Sequence, residues 1–516
     1  MIVALSASFL MLKAFNKSSS GIAVARNNKT QAALMQAKQA LLTYAATVGA
    51  EKAMDPAGVP GYLPCPDMGA SMSNPLAEGQ SASTCGSRLV SQIGRLPWNT
   101  LGLDALRDAS GECLWYAVSG TYKAAPNGVT TTASTSNMMN WDTPGLFDVL
   151  ADGGANYLTG GNSNPATRAV AVIFAPGQRL NAQDRTPPAV TFPNTGAPNC
   201  GGNYTVSNYL ESVNGIDNAS VSSVANAIVQ FIAGNKSETF NDQLVYITRE
   251  ELWAAIKKRP DFQNYLTGPN GLAYKVAYCL ANFGNNNFDF SSGDRRIPYA
   301  APNSLSPTTL SSYMLNARYD DEDRRIVGRA PFSVSDSRSN GPPLPKNHLT
   351  NPYNLISLNA FFGSPCFPPP VLPETSNASS LAWYENWKDH LFYAVSAAHR
   401  PRATPNEPVA ACDASNCVQV NGTGTRYAGI VIFAGERLSL QSRDTAAQRA
   451  LPSNYLEGRN ASNIALNTGS PSPPAPAAIG NENYETGTTS TTFNDVAYCI
   501  PSNFDVTTSA LPVLCP

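Results

Sequence analysis

Histidine is scarce in this chain of 516 residues: there are three, His348, His390 and His399. None stands in an H-E-x-x-H or similar spacing, so zinc catalysis has no ligand pattern to build on. Charge is thin as well. Charged residues make up 14% of the chain and the formal net charge is −2, which excludes a global field that would recruit nucleic acid or an anionic membrane surface. No G-x-S-x-G elbow, P-loop or dinucleotide fingerprint stands out, so nucleophilic and phosphate-binding chemistry lacks its loops. No catalytic, cofactor-binding or metal-ligating residue is assigned, no cofactor is expected, and the chain is read as not an enzyme. Partners are expected to be recognised by shape and local contacts, and nucleic acid is not among them.

Proline and glycine are abundant instead. The 40 Pro and 38 Gly, with Ser/Thr-rich stretches at 130–136 and 486–492, read as loop-rich β structure of a secreted type. The length predicts two to four domains. Ten cysteines form no C-x-x-C pair, so disulfides in an oxidising compartment are favoured over zinc or thioredoxin-like chemistry. Cys412 with Cys417 is the most local candidate pair, and Cys499 with Cys515 could close a C-terminal loop. Cys65, Cys85, Cys113, Cys200, Cys279 and Cys366 cannot be paired from sequence, and buried free thiols are the alternative for each.

Residues 1–15, MIVALSASFLMLKAF, are apolar except for two serines and Lys13, and alone fall short of the roughly 20 residues of a membrane helix. Past a polar patch at 16–20 and Gly21, helix-forming residues resume at Ile22 and run towards Gly49. Ala33, Ala37, Ala40 and Tyr44 make one helical stripe, with Gln31, Gln36, Lys38 and Gln39 around it. The pattern predicts a helix whose first half sits in a bilayer or filament core and whose second half packs on a globular head. A truncated secretory signal peptide is the competing reading, and a leader may precede Met1.

An internal repeat sets the architecture. CLWYAVSGTYK at Cys113–Lys123 returns as HLFYAVSAAHR at His390–Arg400, and RAVAVIFAPGQRLNAQDR at Arg168–Arg185 as RYAGIVIFAGERLSLQSR at Arg426–Arg443. SNYLE occurs at Ser207–Glu211 and Ser453–Glu457, and TFND at Thr239–Asp242 and Thr492–Asp495. More loosely, IGRLPW at Ile93–Trp98 matches VGRAPF at Val327–Phe332, and GYLPCPD at Gly61–Asp67 matches RIPYAAP at Arg296–Pro302. The apolar runs Ala169–Phe174 and Ala428–Phe433 read as buried strands, Leu114–Val118 and Leu391–Val395 as a second pair. Thr248–Glu251 fits a capping box, with Ile247 and Leu252 as a hydrophobic staple, opening a helix that ends before Pro260. Leu272–Phe283 predicts a helix placed in the second copy as Gln39–Val48 is in the first. The expected fold is α+β: a long N-terminal helix, then two repeated modules, each an antiparallel sheet packed on a helix, with long loops. Its parts are residues 1–50, 51–247, a connecting helix at 248–269, and 270–516. Proline-rich stretches at 342–345, 365–373 and 470–478 read as surface straps.

GYLPCPD at Gly61–Asp67, GRLPW at Gly94–Trp98, LGL at Leu101–Leu103, LRD at Leu106–Asp108 and LWYAV at Leu114–Val118 together resemble bacterial prepilin-type proteins, the type IV pilins and type II secretion pseudopilins. Asp108, Gly111, Leu114 and Tyr116 resemble the Asp-x-x-Gly-x-x-hydrophobic-x-Tyr turn of pseudopilins. The resemblance implies a minor pilin or pseudopilin that primes filament assembly or adhesion. Its partners would be other pilin subunits through the N-terminal helix, the inner membrane before assembly, and a surface or secreted-protein ligand. Its location would be the inner membrane with a periplasmic head, then the cell surface. The family's leader peptide with its Gly-Phe cleavage junction is not visible, and no glutamate precedes Glu51; the missing glutamate resembles subunits placed at a filament tip, and an incomplete N-terminus would account for it equally.

Two other functions compete: a membrane-anchored adhesin or carbohydrate-binding protein, and a secreted hydrolase with paired carboxylates. The run Asp320–Asp323, followed by Arg324 and Arg325, reads as a solvated, self-paired cluster before a calcium loop. Trp383, Tyr384 and Trp387 read as a helix face entering a core before a sugar-stacking surface. His390 and His399 bracket a repeated strand whose first copy carries Cys113 and Tyr122 there, so a structural role is favoured.

Overall fold

The computed structural model describes residues 2–51, 60–69, 78–82, 85–87, 89–123, 138–162, 164–187, 199–286, 295–315, 318–321, 325–332, 383–401, 411–466, 480–503 and 512–516. His348, Cys366, Arg324, Glu322 and Asp323 of the acidic run and the proline-rich straps lie outside the described residues, as do the side chains of residues 1–20 and 48–51. The fold is α+β. Contacts divide the chain into two compact units: Met1–Asp55, Pro60–Val129 and Thr143–Ile256 form the first, and Pro56–Val59, Thr130–Asp142 and Lys257–Pro516 the second.

The first unit begins with the helix Ile2–Glu51, about 75 Å long at the usual rise. Between Gly21 and Gly49 it has neither glycine nor proline, and alanine is frequent, which keeps a long helix continuous. Thr30, Ala33, Leu34, Ala37, Leu41 and Ala45 are buried at steps of three and four residues, whereas residues 21–29 are all exposed. Ala33 and Ala37 of the expected stripe are thus buried, and Ala40 and Tyr44 flank it half-buried. This stripe packs on a sheet built from β1 (Gln92–Arg95), β2 (Trp115–Val118), β3 (Phe147–Ala151), β4 (Asn156–Thr159), β5 (Ala169–Ala175), β8 (Val229–Ala233) and β9 (Gln243–Thr248). A short hairpin, β6 (Ser212–Val213) with β7 (Ile216–Asp217), stands beside it. β1, β2, β5 and β9 are successive antiparallel neighbours; β3 meets β5 at Phe147–Ala169, runs parallel to β8, and carries β4 antiparallel to it. Lys38 on the helix bonds the Tyr246 carbonyl at 2.8 Å and Glu251 at 2.7 Å.

The capping box forms as expected: Thr248 N donates to Glu251 Oε2 at 3.0 Å and Glu251 N to Thr248 Oγ1 at 3.2 Å. It opens the helix Arg249–Lys257, with Ile247 and Leu252 fully buried.

In the second unit β10 (Val327–Arg329), β11 (Leu391–Val395), β13 (Tyr427–Phe433), β15 (Val496–Pro501) and β16 (Val513–Leu514) form an antiparallel sheet in that order. β12 (Gln419–Val420) pairs in parallel with β14 (Asn483–Tyr484). The helix Leu272–Asn286 lies on β13 and β15, the strands that match β5 and β9. Each unit therefore carries its own packing helix on the same two strands.

The repeat is structural. β1-β2-β5-β9 and β10-β11-β13-β15 have the same order and direction, and Tyr116 and Tyr393 hold equivalent carbonyls, Pro64 at 3.2 Å and Pro298 at 3.0 Å. Those bonds correct the loosest sequence match by one residue, because Leu63–Asp67 corresponds to Ile297–Ala301: Asp67 bridges Arg95 as Ala301 bridges Arg329. The expectation of an antiparallel sheet packed on a helix holds for the five-stranded sheet of the second unit, beside which β12 and β14 form a separate parallel pair; in the first unit it is corrected, since β3 runs parallel to β8 and makes that sheet mixed. Among the described residues no helix is long and apolar enough to cross a membrane.

Candidate functional site: a polar lock built twice

The repeated blocks SNYLE and TFND meet in space in each unit, and the reason lies in their carboxylates. Glu211 N donates to Asp242 Oδ2 at 2.9 Å while Asp242 N donates to Glu211 Oε2 at 3.2 Å, so each acid closes the other's loop. Asn241 N adds a bond to Glu211 Oε2 at 2.9 Å, Gln183 to Oε1 at 2.5 Å, and Asn218 to Asp242 Oδ2 at 3.0 Å. The second unit repeats this. Glu457 N reaches Asp495 Oδ2 at 3.1 Å, Asn494 N reaches Glu457 Oε2 at 2.9 Å, Gln441 reaches Oε1 at 2.8 Å, and Asn460 reaches Asp495 at 3.0 Å.

The same glutamines join this clamp to an arginine. Arg185 bonds Gln183 Oε1 at 2.6 Å and the carbonyls of Gly177 and Asn208; Arg443 bonds Gln441 Oε1 at 3.0 Å and the carbonyls of Gly435 and Asn454. Each guanidinium lies over the tyrosine of SNYLE, Arg185 4.7 Å from the Tyr209 centroid and Arg443 4.3 Å from Tyr455. A second arginine, from the GR of the earlier block, also lies over the ring: Arg95 at 5.4 Å from Tyr209 and Arg329 at 4.8 Å from Tyr455. Low exposure, 2% or less for both tyrosines and both of these arginines, strengthens such contacts. Glycine is required at Gly177 and Gly435, because a Cβ there would fall 2.3 Å from Asn241 Oδ1 or Asn494 Cγ.

Burial, and then the neighbouring Glu211, push Asp242 well above the usual carboxylate range; burial and Glu457 do the same to Asp495. In both aspartates Oδ1 has no hydrogen-bond partner, the oxygen free to carry the proton. A group with a raised folded pKa stabilises fully below its unfolded value, about 3.9, and loses that contribution as pH rises through the folded value. The thermal midpoint of the native protein, measured against an Asp242→Asn/Asp495→Asn variant, should therefore fall as pH rises above about 4. Parallel curves for the two proteins would remove the proton assigned to these aspartates.

His390 and His399 occupy different settings. His390 is fully buried, with Nδ1 2.8 Å from Asp389 Oδ1, Nε2 3.0 Å from Asp142 Oδ2, and Trp141 Nε1 2.8 Å from Nε2. Burial raises Asp142, but Arg443, Arg437 and His390 together bring it well below its usual range; Asp389 is lowered likewise, His390, Arg449 and Arg329 outweighing its burial. At the matching place in the first unit Cys113 is disulfide-bonded to Cys200. His399 Nδ1 lies 2.8 Å from Ser396 Oγ and 3.8 Å from Cys417 Sγ. His399, Cys412 and Cys417 gather within 4.8 Å, a cluster the sequence reading did not single out, but the two sulfurs are bonded to each other and disulfide sulfurs are not the thiolates a soft metal takes.

Among the described residues four disulfides form: Cys412–Cys417 and Cys499–Cys515, the two candidate pairs read from sequence, with Cys65–Cys85 and Cys113–Cys200, which sequence had left open. Cys279 is fully buried. Trp383, Tyr384 and Trp387 are core residues, 5% exposed or less. Asp321 is buried rather than solvated, while Asp320 is exposed. Asp108 makes the turn read from sequence, its Oδ1 accepting Ser110 N at 2.7 Å and Glu112 N at 3.0 Å and its Oδ2 accepting Gly177 N at 2.8 Å, with Gly111 at φ 89°. The lock can hold loops in register: Glu211, Asp242 and Asp495 are buried and Glu457 is half-buried. Comparison with protein-family models, with curated proteins and with solved structures finds no match to this chain.

Proposed function

We propose that this chain is a minor pilin or pseudopilin, an assembly subunit without catalytic activity, placed at the tip of a type IV pilus or type II secretion-like filament. One observation carries the reading: a fifty-residue helix is buried in its head along the stripe that begins at Thr30, while residues 21–29 are exposed, Ile22 and Val24 each 60%, with Arg26 Nη2 reaching Ser110 Oγ at 3.4 Å. Helix of that kind is available for packing against other helices, because apolar side chains left in water gain by burial. The Asp108 turn, bonded to the helix through Ala109 N and Thr30 Oγ1 at 3.1 Å, supports the same reading, and the four disulfides among the described residues support an extracytoplasmic head. In this reading the partners are other pilin-type subunits, with the inner membrane holding the helix before assembly. Deleting residues 2–20 in the producing cell should leave a folded, soluble head that no longer sediments with membranes or sheared filaments. A truncated chain that still co-sediments with filaments would contradict the role given to the helix.

A further inference from the structure

The two units share their four-strand order, packing helix and polar lock, so a function of one unit alone should lie where they differ. They differ after SNYLE: the first unit continues into the β6–β7 hairpin, the second into the helix Gly458–Ala465, and both routes deliver an asparagine, Asn218 or Asn460, to the lock. They differ again at β4, which has no counterpart among the described residues of the second unit. These two additions enclose a groove of about 540 Å³, lined by Tyr157 of β4, Asp217 of the hairpin, Asp148, Asn162, Arg168 and Gln230.

The lining combines an aromatic face with neutral hydrogen-bonding groups. Tyr157 is 47% exposed, a large ring left in water at an edge strand. Its setting is built: Gly161, at φ 82°, passes so close that a Cβ would lie 3.1 Å from the ring, and a Cβ on the preceding Gly160 would lie 2.1 Å from Asp148 Oδ1. Asp148 is 3% exposed and accepts Gly161 N at 2.8 Å and Arg168 Nε at 2.9 Å, so its charge is already matched. Asp217 leaves the groove with a carboxylate that repels anions.

We propose that this groove binds a neutral oligosaccharide, one sugar ring lying on Tyr157 and its hydroxyls meeting Asn162, Gln230 and Asp217. Apolar C–H faces of a sugar suit an exposed aromatic ring, the few polar groups fix orientation, and the volume falls within the range of small-ligand sites. The proposal stands independently of the filament reading, since a head outside any filament would carry the same groove.

The test is binding of the fluorescently labelled full-length protein to an array of neutral, sulfated and sialylated glycans, followed by calorimetry with the best neutral trisaccharide. Tyr157→Ala should weaken that binding about tenfold or more, Tyr157→Phe should retain most of it, and both should keep the native melting temperature. Binding to no neutral glycan, to acidic glycans only, or equally by Tyr157→Ala would overturn the proposal.

Discussion

Glu211→Ala should lower the stability of the first unit by about 3–5 kcal/mol, one of the two largest effects of a single substitution expected here. The carboxylate accepts Gln183 Nε2, Asn241 N and Asp242 N. Its removal strands three donors at a residue 8% exposed, and a buried donor without a partner costs about 1–3 kcal/mol. It also frees the SNYLE loop from the TFND loop. Glu457→Ala removes the matching acceptor in the second unit and should cost a similar amount. Urea unfolding followed by tryptophan fluorescence measures both, and losses below about 1 kcal/mol in both variants would mean that the repeated acids do not lock the repeated loops.

Asp389→Ala is the second. Asp389 is fully buried and takes His390 Nδ1 at 2.8 Å, Asn140 Nδ2 at 3.1 Å, Tyr455 OH at 3.2 Å and the Arg449 guanidinium. Removing one member of such a cluster leaves buried charge uncompensated, at a cost of about 3–5 kcal/mol. Its pH sense is opposite to that of the carboxyl pairs. Asp142 and Asp389 are lowered in the folded state, so their stabilisation is present above the unfolded value, about 3.9, and is lost as pH falls through the folded values. Acid titration followed by near-ultraviolet circular dichroism should show the native protein losing stability below about pH 4 more steeply than Asp389→Ala. Equal acid sensitivity would show that the cluster does not set the acid limit.

What could be read from sequence was what the repeat preserved. The strands around Trp115–Val118 and Leu391–Val395 were legible because their apolar composition survives duplication, and so were SNYLE and TFND as words. Their meaning was not. Glu211 and Asp242 are separated by a hairpin and a strand, and only the fold reveals that each accepts the other's backbone N–H. Asn218 and Asn460 were invisible as partners because one follows a hairpin and the other lies on a helix, so no alignment of neighbours brings them together. The parallel strand pairs were missed for a related reason: β12 and β14 are two residues long and carry no periodicity. Asn140, Trp141 and Asp142 fall within residues 51–247, the expected first module, yet they line the His390 cluster of the second unit. Nothing local in NWD signals a partner some 250 residues away. The helix at residues 2–51 and the Thr248–Glu251 box were legible in full because helix propensity and capping are local.

The most direct test of the filament assignment is immunogold labelling of sheared surface filaments from the producing cell, with antibody raised against residues 270–516. The account predicts gold at filament ends, and no gold on filaments from cells making the chain without residues 2–20. Label confined to the cell envelope, with bare filaments, would contradict it and leave an anchored binding protein in its place.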